Sequence, residues 1–355
     1  MTLSDVLAHI EPIDPRAQQG AALRQQQLTK PPGSLGRLEE LSIQLAGVFR
    51  TERPTIRGKA VVVAAADHGV VAQGVTSYPQ EVTAQMVQNF LAGGAAINVM
   101  ARTGRVGLMI VDAGVATPLP EHPDLRVIGA ERGTADMTQG PAMSRAQAEQ
   151  CVNAGVAIAL EAAEDGTDII GAGEMGIGNT TASSAITATL TGRPPVETTG
   201  RGTGRNEEEM AHKVAVVERA LEVNGPDSTD GLDVLAKVGG FEIGVLAGVM
   251  LGGALARRVV VLDGFVSTAA GLIAHSLCPH VSGYVVASHL SVEPGHRIAL
   301  GYMGLRPLLD LGMRLGEGTG AVLAMGLIEA ATACLTEMAT FAEAGVSGSA
   351  TGEAE

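Results

Sequence analysis

Tryptophan is absent from this chain, and aromatic residues make up only 2% of its 355 positions. A core here must be built from Ala, Val, Leu, Ile and Met, a palette that suits helices packed on a buried parallel sheet. Charged residues are also scarce, at 17%, against 46% hydrophobic. That balance excludes a disordered chain. Basic patches are missing too. The formal net charge is −14, and the densest basic stretch, "GRGTGRNEEEMAHK", is countered at once by glutamates. Nucleic acid and anionic membrane surfaces are therefore poor partners. Three cysteines, Cys151, Cys278 and Cys334, stand far apart with no CxxC pair. They fit buried thiols in a reducing cytoplasm. The first twenty residues carry early acids and no long apolar segment, so no signal peptide is expected there. The longest apolar run, "IGVLAGVMLGGALARRVVVLDG", is broken by Arg257 and Arg258. It reads as a buried helix entering a strand, not a membrane span.

Several chemical signatures are missing as well. No Gly-Lys-Ser/Thr follows any glycine loop, no GxSxG elbow occurs, and the His289, Glu293 and His296 intervals do not match HExxH. No metal or cofactor is expected.

What is present is an alternation. "KAVVVAAADHG", "VGLMIVDAGV", "TDIIGAGEMGIGN", "RRVVVLDGFVSTAAG" and "VSGYVVASHLSVEPGH" read as apolar strands separated by helical stretches. Continuous apolar strands alternating with helices predict an α/β fold, a parallel Rossmann-like sheet covered by helices. Ligands bind such sheets at the carboxyl ends of the strands. There the sequence puts Asp67, His68, Asp112, Glu174, Asp263, Ser288 and His289. Residues 1–58 and 326–355 are expected to form a small helical lobe beside a catalytic domain at 59–325, ending in a mobile tail.

Three stretches stand out. "GAGEMGIGNTTASSAI", Gly171–Ile186, places glycines and hydroxyls where a strand turns into a helix. Close packing would explain the glycines. A phosphate held by backbone N–H groups, Thr180 and Thr181 would explain them too, with Lys213 or Arg205 neutralising the charge. "RLGEGTGAVLA" sets Glu317 between two glycines before a long helix. The helix dipole accounts for the acid. It does not account for the flanking glycines, which suggest a close approach to the backbone. "TKPPGSLGRLEEL" predicts a stiff turn with Lys30 and Ser34 exposed.

Together these motifs resemble the nicotinate-nucleotide–dimethylbenzimidazole phosphoribosyltransferase family. The resemblance runs in order through "TKPPGSLGRLEEL", "ADHGV", "YPQEVTAQMVQNFLAGGAAINV", "DAGV", "GEMGIGNTTASSA", "GRGTG", "VGGFEIGVLAGVMLGGA", "LDGFVSTAA", "SHLSVEPGH" and "LGMRLGEGTGAVLA". It implies transfer of ribose 5-phosphate from nicotinate mononucleotide to 5,6-dimethylbenzimidazole, in a homodimer. It implies Glu317 as general base, Glu174 on the sugar side and Lys213 at the phosphate. Gly176, Gly178, Asn179, Thr180, Gly202, Asp263 and Ser291 would contact substrate. Tyr78, Pro79, Gln88 and Leu315 would form the base pocket. A nucleotide hydrolase, or a nucleotide binder without turnover, remains the alternative. Two acids beside an anion site argue against the binder.

Overall fold

A computed structural model describes residues 1–129, 131–200 and 207–347. Gly202, Arg205 and the tail beyond residue 347 lie outside the described residues.

Six parallel strands form one sheet: β1 (Lys59–Ala66), β2 (Gly107–Gly114), β3 (Leu125–Val127), β4 (Ile169–Met175), β5 (Val259–Leu262) and β6 (Val285–Ala287). The order is β3-β2-β1-β4-β5-β6. The chain winds outward from β1 in one direction and from β4 in the other. β1 and β4 therefore flank the switch point, where the connections diverge and open a crevice. Every residue of β1 after Lys59 is buried, as a strand covered on both faces must be. The five apolar runs of the sequence are strands as expected. β3 was not anticipated: it has three residues, half-buried or exposed, at the sheet edge. It offers no apolar run to read.

Helices cover both faces. Phe241–Leu255 packs on β1, β2, β4 and β5, with Arg145–Glu164 against it. A Cβ on Gly155 would stand 1.9 Å from Val245 O, so these two helices touch backbone to backbone. On the other face, Thr319–Glu337 packs on β1, β4 and β5. It is the one helix among the described residues long and apolar enough to cross a membrane. Its contacts with the sheet mark it as a core helix.

The chain ends meet. Pro15–Gln27 packs on Arg37–Phe49, which packs on Thr319–Glu337. The Arg24 guanidinium donates to the carbonyls of Leu335, Thr336 and Met338, satisfying the last turn of that helix. Residue 325 falls inside the same helix. One expectation fails in the "TKPPGSLG" turn. Lys30 is not exposed: its Nζ lies 2.7 Å from Glu39 Oε1 and donates to Gln25 O. Two acceptors within reach draw the ammonium inward, while Ser34 is exposed.

Candidate active site

The turn after β4 leads into the helix Asn179–Thr191, and Gly178 makes the bend at φ +96°. Only glycine takes that conformation without strain. A Cβ at Gly178 would also come 2.7 Å from Val71 Cγ2. The glycine is thus required by backbone path and packing, not by room for a ligand. The helix start carries no side-chain cap. Beside it, Lys213 is buried, and its Nζ donates to Thr180 Oγ1 at 2.8 Å and to Gly200 O at 3.4 Å. The neighbouring hydroxyls do something else. Ser183 and Ser184 bond back to Asn179 O and Thr180 O. Thr181 is fully buried and does not line the cavity.

The second acid-bearing segment arrives beside this turn. Gly316, Glu317 and Gly318 have φ values of +87°, +63° and +88°. Glu317 N donates to Glu174 O at 3.2 Å, which binds the segment to the end of β4. The approach is close enough that a Cβ on Gly316 would fall 2.2 Å from Glu174 Oε1. The flanking glycines are therefore explained by a strand end, not by a ligand. Glu317 itself sits left-handed, a strain of order 1 kcal/mol or more for a residue with a Cβ. Asp263, at the end of β5, anchors the arrangement. Its carboxylate accepts from the amides of Gly318, Gly320 and Ala321. It caps the helix Thr319–Glu337 from beneath and is not part of the cavity wall.

Between these segments lies a cavity of about 560 Å³. One wall is polar: Glu174, Asn179, Thr180, Lys213, His289, Ser291, Glu293 and Glu317. The other is apolar: Val75, Val82, Met86, Met175, Ile177 and Leu315, with Tyr78 at the mouth. Gly176 and Gly178 form part of the floor. Of the expected site residues in the described chain, Pro79, Gln88 and Asp263 do not line it. Gln88 points to solvent from the helix Val82–Leu91, whose Val82 and Met86 face the cavity instead. Sequence reasoning did not assign Met86, Met175 or Glu293 to the site, and it placed His289 only at a strand end. The i,i+4 spacing of Val82 and Met86 marks one helix face, but core residues carry the same mark.

Burial raises both cavity glutamates. Burial pushes the Glu174 carboxyl up to about 8, helped by the charges of Asp263, Glu242 and Glu317 and opposed by the amide of Asn179, which donates to Glu174 Oε2. Near neutral pH Glu174 is chiefly protonated. Burial also raises Glu317, and the Ile97 N–H, donating to Oε2 at 3.3 Å, pulls it partly back. Asp263 is pushed up to about 7 by burial, against its three amide donors. A different donor thus opposes burial at each cavity glutamate: the Asn179 side-chain amide at Glu174 and the Ile97 N–H at Glu317. Among the described residues, no cluster of three or more His, Cys, Asp or Glu could hold a metal ion.

Known proteins align along this whole framework. A family model described as "Phosphoribosyltransferase" matches residues 10–346. A protein of Roseiflexus sp. (strain RS-1), named nicotinate-nucleotide–dimethylbenzimidazole phosphoribosyltransferase, is 58% identical over 98% of both chains. One of the same name from Chloroflexus aggregans is 57% identical over 97% of this chain and 98% of its own. The crystal structure of the enzyme so named from Thermus thermophilus superposes with a TM-score of 0.90 at 49% identity, covering 95% of this chain and 100% of the other.

Proposed function

The chain belongs to the nicotinate-nucleotide–dimethylbenzimidazole phosphoribosyltransferase family, and from that membership we infer how its cavity works. It moves the ribose 5-phosphate of nicotinate mononucleotide to a ring nitrogen of 5,6-dimethylbenzimidazole. The products are nicotinate and α-ribazole 5′-phosphate, for the lower ligand of cobalamin. The observation that carries the reading is two carboxyl groups raised by burial, Glu174 and Glu317, in one cavity with a buried lysine and a helix start that has no side-chain cap.

The donor phosphate sits at Gly176–Thr180, beside a helix start that has no side-chain cap, and Lys213 supplies the opposing charge. The benzimidazole lies against Met86, Met175, Leu315 and Tyr78. As its nitrogen attacks C1′, its other N–H becomes acidic. Glu317 takes that proton, and its raised pKa brings it closer to the strength a base needs near neutral pH. The pyridinium leaves as a neutral nicotinate ring nitrogen. Glu174, protonated, holds a ribose hydroxyl. Ser291, on the polar wall, contacts the phosphoribosyl group. The apolar side chains at the mouth, Tyr78 at 51% exposed and Leu315 at 56%, fit a site completed by a second copy of the chain. A homodimer in the cytoplasm is the proposed working form, and sedimentation of the purified protein tests it.

The reaction is tested by incubating the protein with nicotinate mononucleotide, with and without dimethylbenzimidazole. Nicotinate release that requires the acceptor supports transfer. Release without it makes the protein a hydrolase, and no release in either case makes it a binder.

A further inference from the structure

The reaction above makes no use of a fully buried pair of titratable groups behind the cavity. β1 runs out into Asp67 and His68, and the helix Phe241–Leu255 opens with Phe241 and Glu242. His68 is 1% exposed and Glu242 is 0% exposed, and His68 Nε2 lies 2.7 Å from Glu242 Oε1. Burial alone would strip the proton from the imidazole. The charge and hydrogen bond of Glu242, with the charge of Asp67, outweigh burial and raise its pKa above the usual range. The two side chains are therefore a fully buried, hydrogen-bonded pair.

The turn that presents the helix Asn179–Thr191 to the cavity lies directly on it. A Cβ on Gly176 would stand 3.3 Å from Glu242 Oε1 and 2.6 Å from Ala66 O. A Cβ on Gly178 would stand 3.4 Å from the Cβ of His68. Between them Ile177 N donates to Thr83 Oγ1, and the Thr83 hydroxyl also favours the charged form of Asp67. Gly240 closes the layer: a Cβ there would fall 2.4 Å from His68 Cε1 and 2.6 Å from Glu242 Oε2. The back of the turn from Gly176 to Gly178 thus rests on Ala66 O, Glu242, Thr83, His68 and Val71, groups held by the end of β1 and by the helices behind the cavity.

We propose that His68 and Glu242 are positioning residues for the phosphoribosyl donor, a buried pair that locks the Gly176–Gly178 turn in the path that presents Thr180 and its partner Lys213 to the phosphate. A buried pair suits this role because neither partner can move without leaving the other's buried polar atom unpaired. An apolar pair of similar volume would tolerate small shifts of the turn. This inference rests on the phosphate reading above.

The test separates donor binding from folding. His68→Leu, which strands the carboxylate, should raise the nicotinate mononucleotide KM about tenfold and leave the benzimidazole KM within about twofold. His68→Gln, whose amide can still donate to Glu242, should recover most of the donor affinity. Thr180→Val is the control for the cradle itself. If it leaves the donor KM unchanged, the phosphate reading fails. If it raises the donor KM while folded His68→Leu does not, the positioning pair alone is overturned. Should His68→Leu not fold, wild-type protein labelled at the histidine rings supplies the answer. The His68 signals should move when nicotinate mononucleotide saturates the site, and signals that stay fixed overturn the proposal.

Discussion

Replacing Glu317 with Gln should abolish proton abstraction while keeping almost everything else. Both side chains have the same length, so the left-handed backbone at φ +63° is no more strained in the variant. The amide oxygen can still accept from Ile97 N, as Oε2 does at 3.3 Å. The weakened contact with that helix start costs about 0.3–1 kcal/mol, the size of one helix-dipole interaction. Loss of a carboxylate that burial disfavours offsets part of it. Stability should therefore barely change. Catalysis should not escape so lightly. General-base assistance is worth about 10²–10⁴-fold, which corresponds to roughly 3–5 kcal/mol of barrier. The assay is chromatographic release of nicotinate at saturating dimethylbenzimidazole, with Tm measured on the same preparations. In wild type, kcat should fall as pH drops through the raised pKa of Glu317, because only the unprotonated form accepts. The variant should lack that limb. Acceptors already deprotonated at the assay pH should lose less. Folded Glu317→Gln turning over dimethylbenzimidazole at near the wild-type rate would refute the base assignment and leave family membership untouched.

Other outcomes follow from the same geometry. Lys213→Ala removes the buried ammonium beside Thr180, so the nicotinate mononucleotide KM should rise by roughly 10–100-fold, the size of a charge-assisted contact; a loss confined to the benzimidazole KM would reassign the lysine. Gly178→Ala puts a side chain at φ +96° and against Val71, so stability should drop by about 1–2 kcal/mol and the donor KM should rise, both read on one sample by calorimetry and initial rates. Glu174→Gln should stabilise the fold in a pH-dependent way. The wild-type carboxyl titrates at about 8 in the folded chain against 4.5 for an ordinary glutamate, so its favourable contribution is full below about 4.5 and is lost as pH rises through 8. The glutamine should therefore raise stability at pH 8.5, by on the order of 1–2 kcal/mol for this half-buried group, and have little effect near pH 4; an equal effect at both values would refute the raised pKa.

Much of this was legible in the sequence because parallel strands buried on both faces must be continuously apolar. β1, β2, β4, β5 and β6 carry that mark; β3, three residues at an edge, does not. Asp67, His68, Glu174 and Asp263 could be placed at strand ends from spacing alone. Their different duties could not. Asp263 and Glu174 look alike in sequence, yet one accepts three amides beneath a helix and the other faces a cavity. The cavity's apolar wall was the least legible part. Met86 and Met175 have the composition and spacing of core residues, and only the open space beside them distinguishes the two. Lys30 shows the reverse error. A lysine beside two prolines suggests a solvated loop, but Glu39, one helical turn or so beyond the bend, draws it in.

The helix starts beside the cavity differ in their caps, and the difference bears on what the cavity holds. The start of Thr319–Glu337 is satisfied by Asp263, which takes the amides of Gly318, Gly320 and Ala321. The start of Ala96–Gly104 presents its Ile97 amide to Glu317. Both are carboxylates from elsewhere in the chain, held where the positive ends of helices favour them. The start of Asn179–Thr191 carries no side-chain cap. Glu174, the carboxyl five residues before it, takes the side-chain amide of Asn179 instead, and burial keeps it chiefly protonated near neutral pH. A buried lysine, Lys213, donates to Thr180 in the first turn of that same helix. Two helix ends are thus matched with an acid of the chain; of those at the cavity without a side-chain cap, Asn179–Thr191 and Phe265–Leu277 among them, the one with Lys213 beside it suits an anion from outside. A phosphate fits there in charge and in hydrogen-bonding capacity. The same distribution explains why acids can stand so near the proposed phosphate site. Glu317 and Asp263 are each bound to a helix start of their own, and Glu174 need not be charged for the donor to enter.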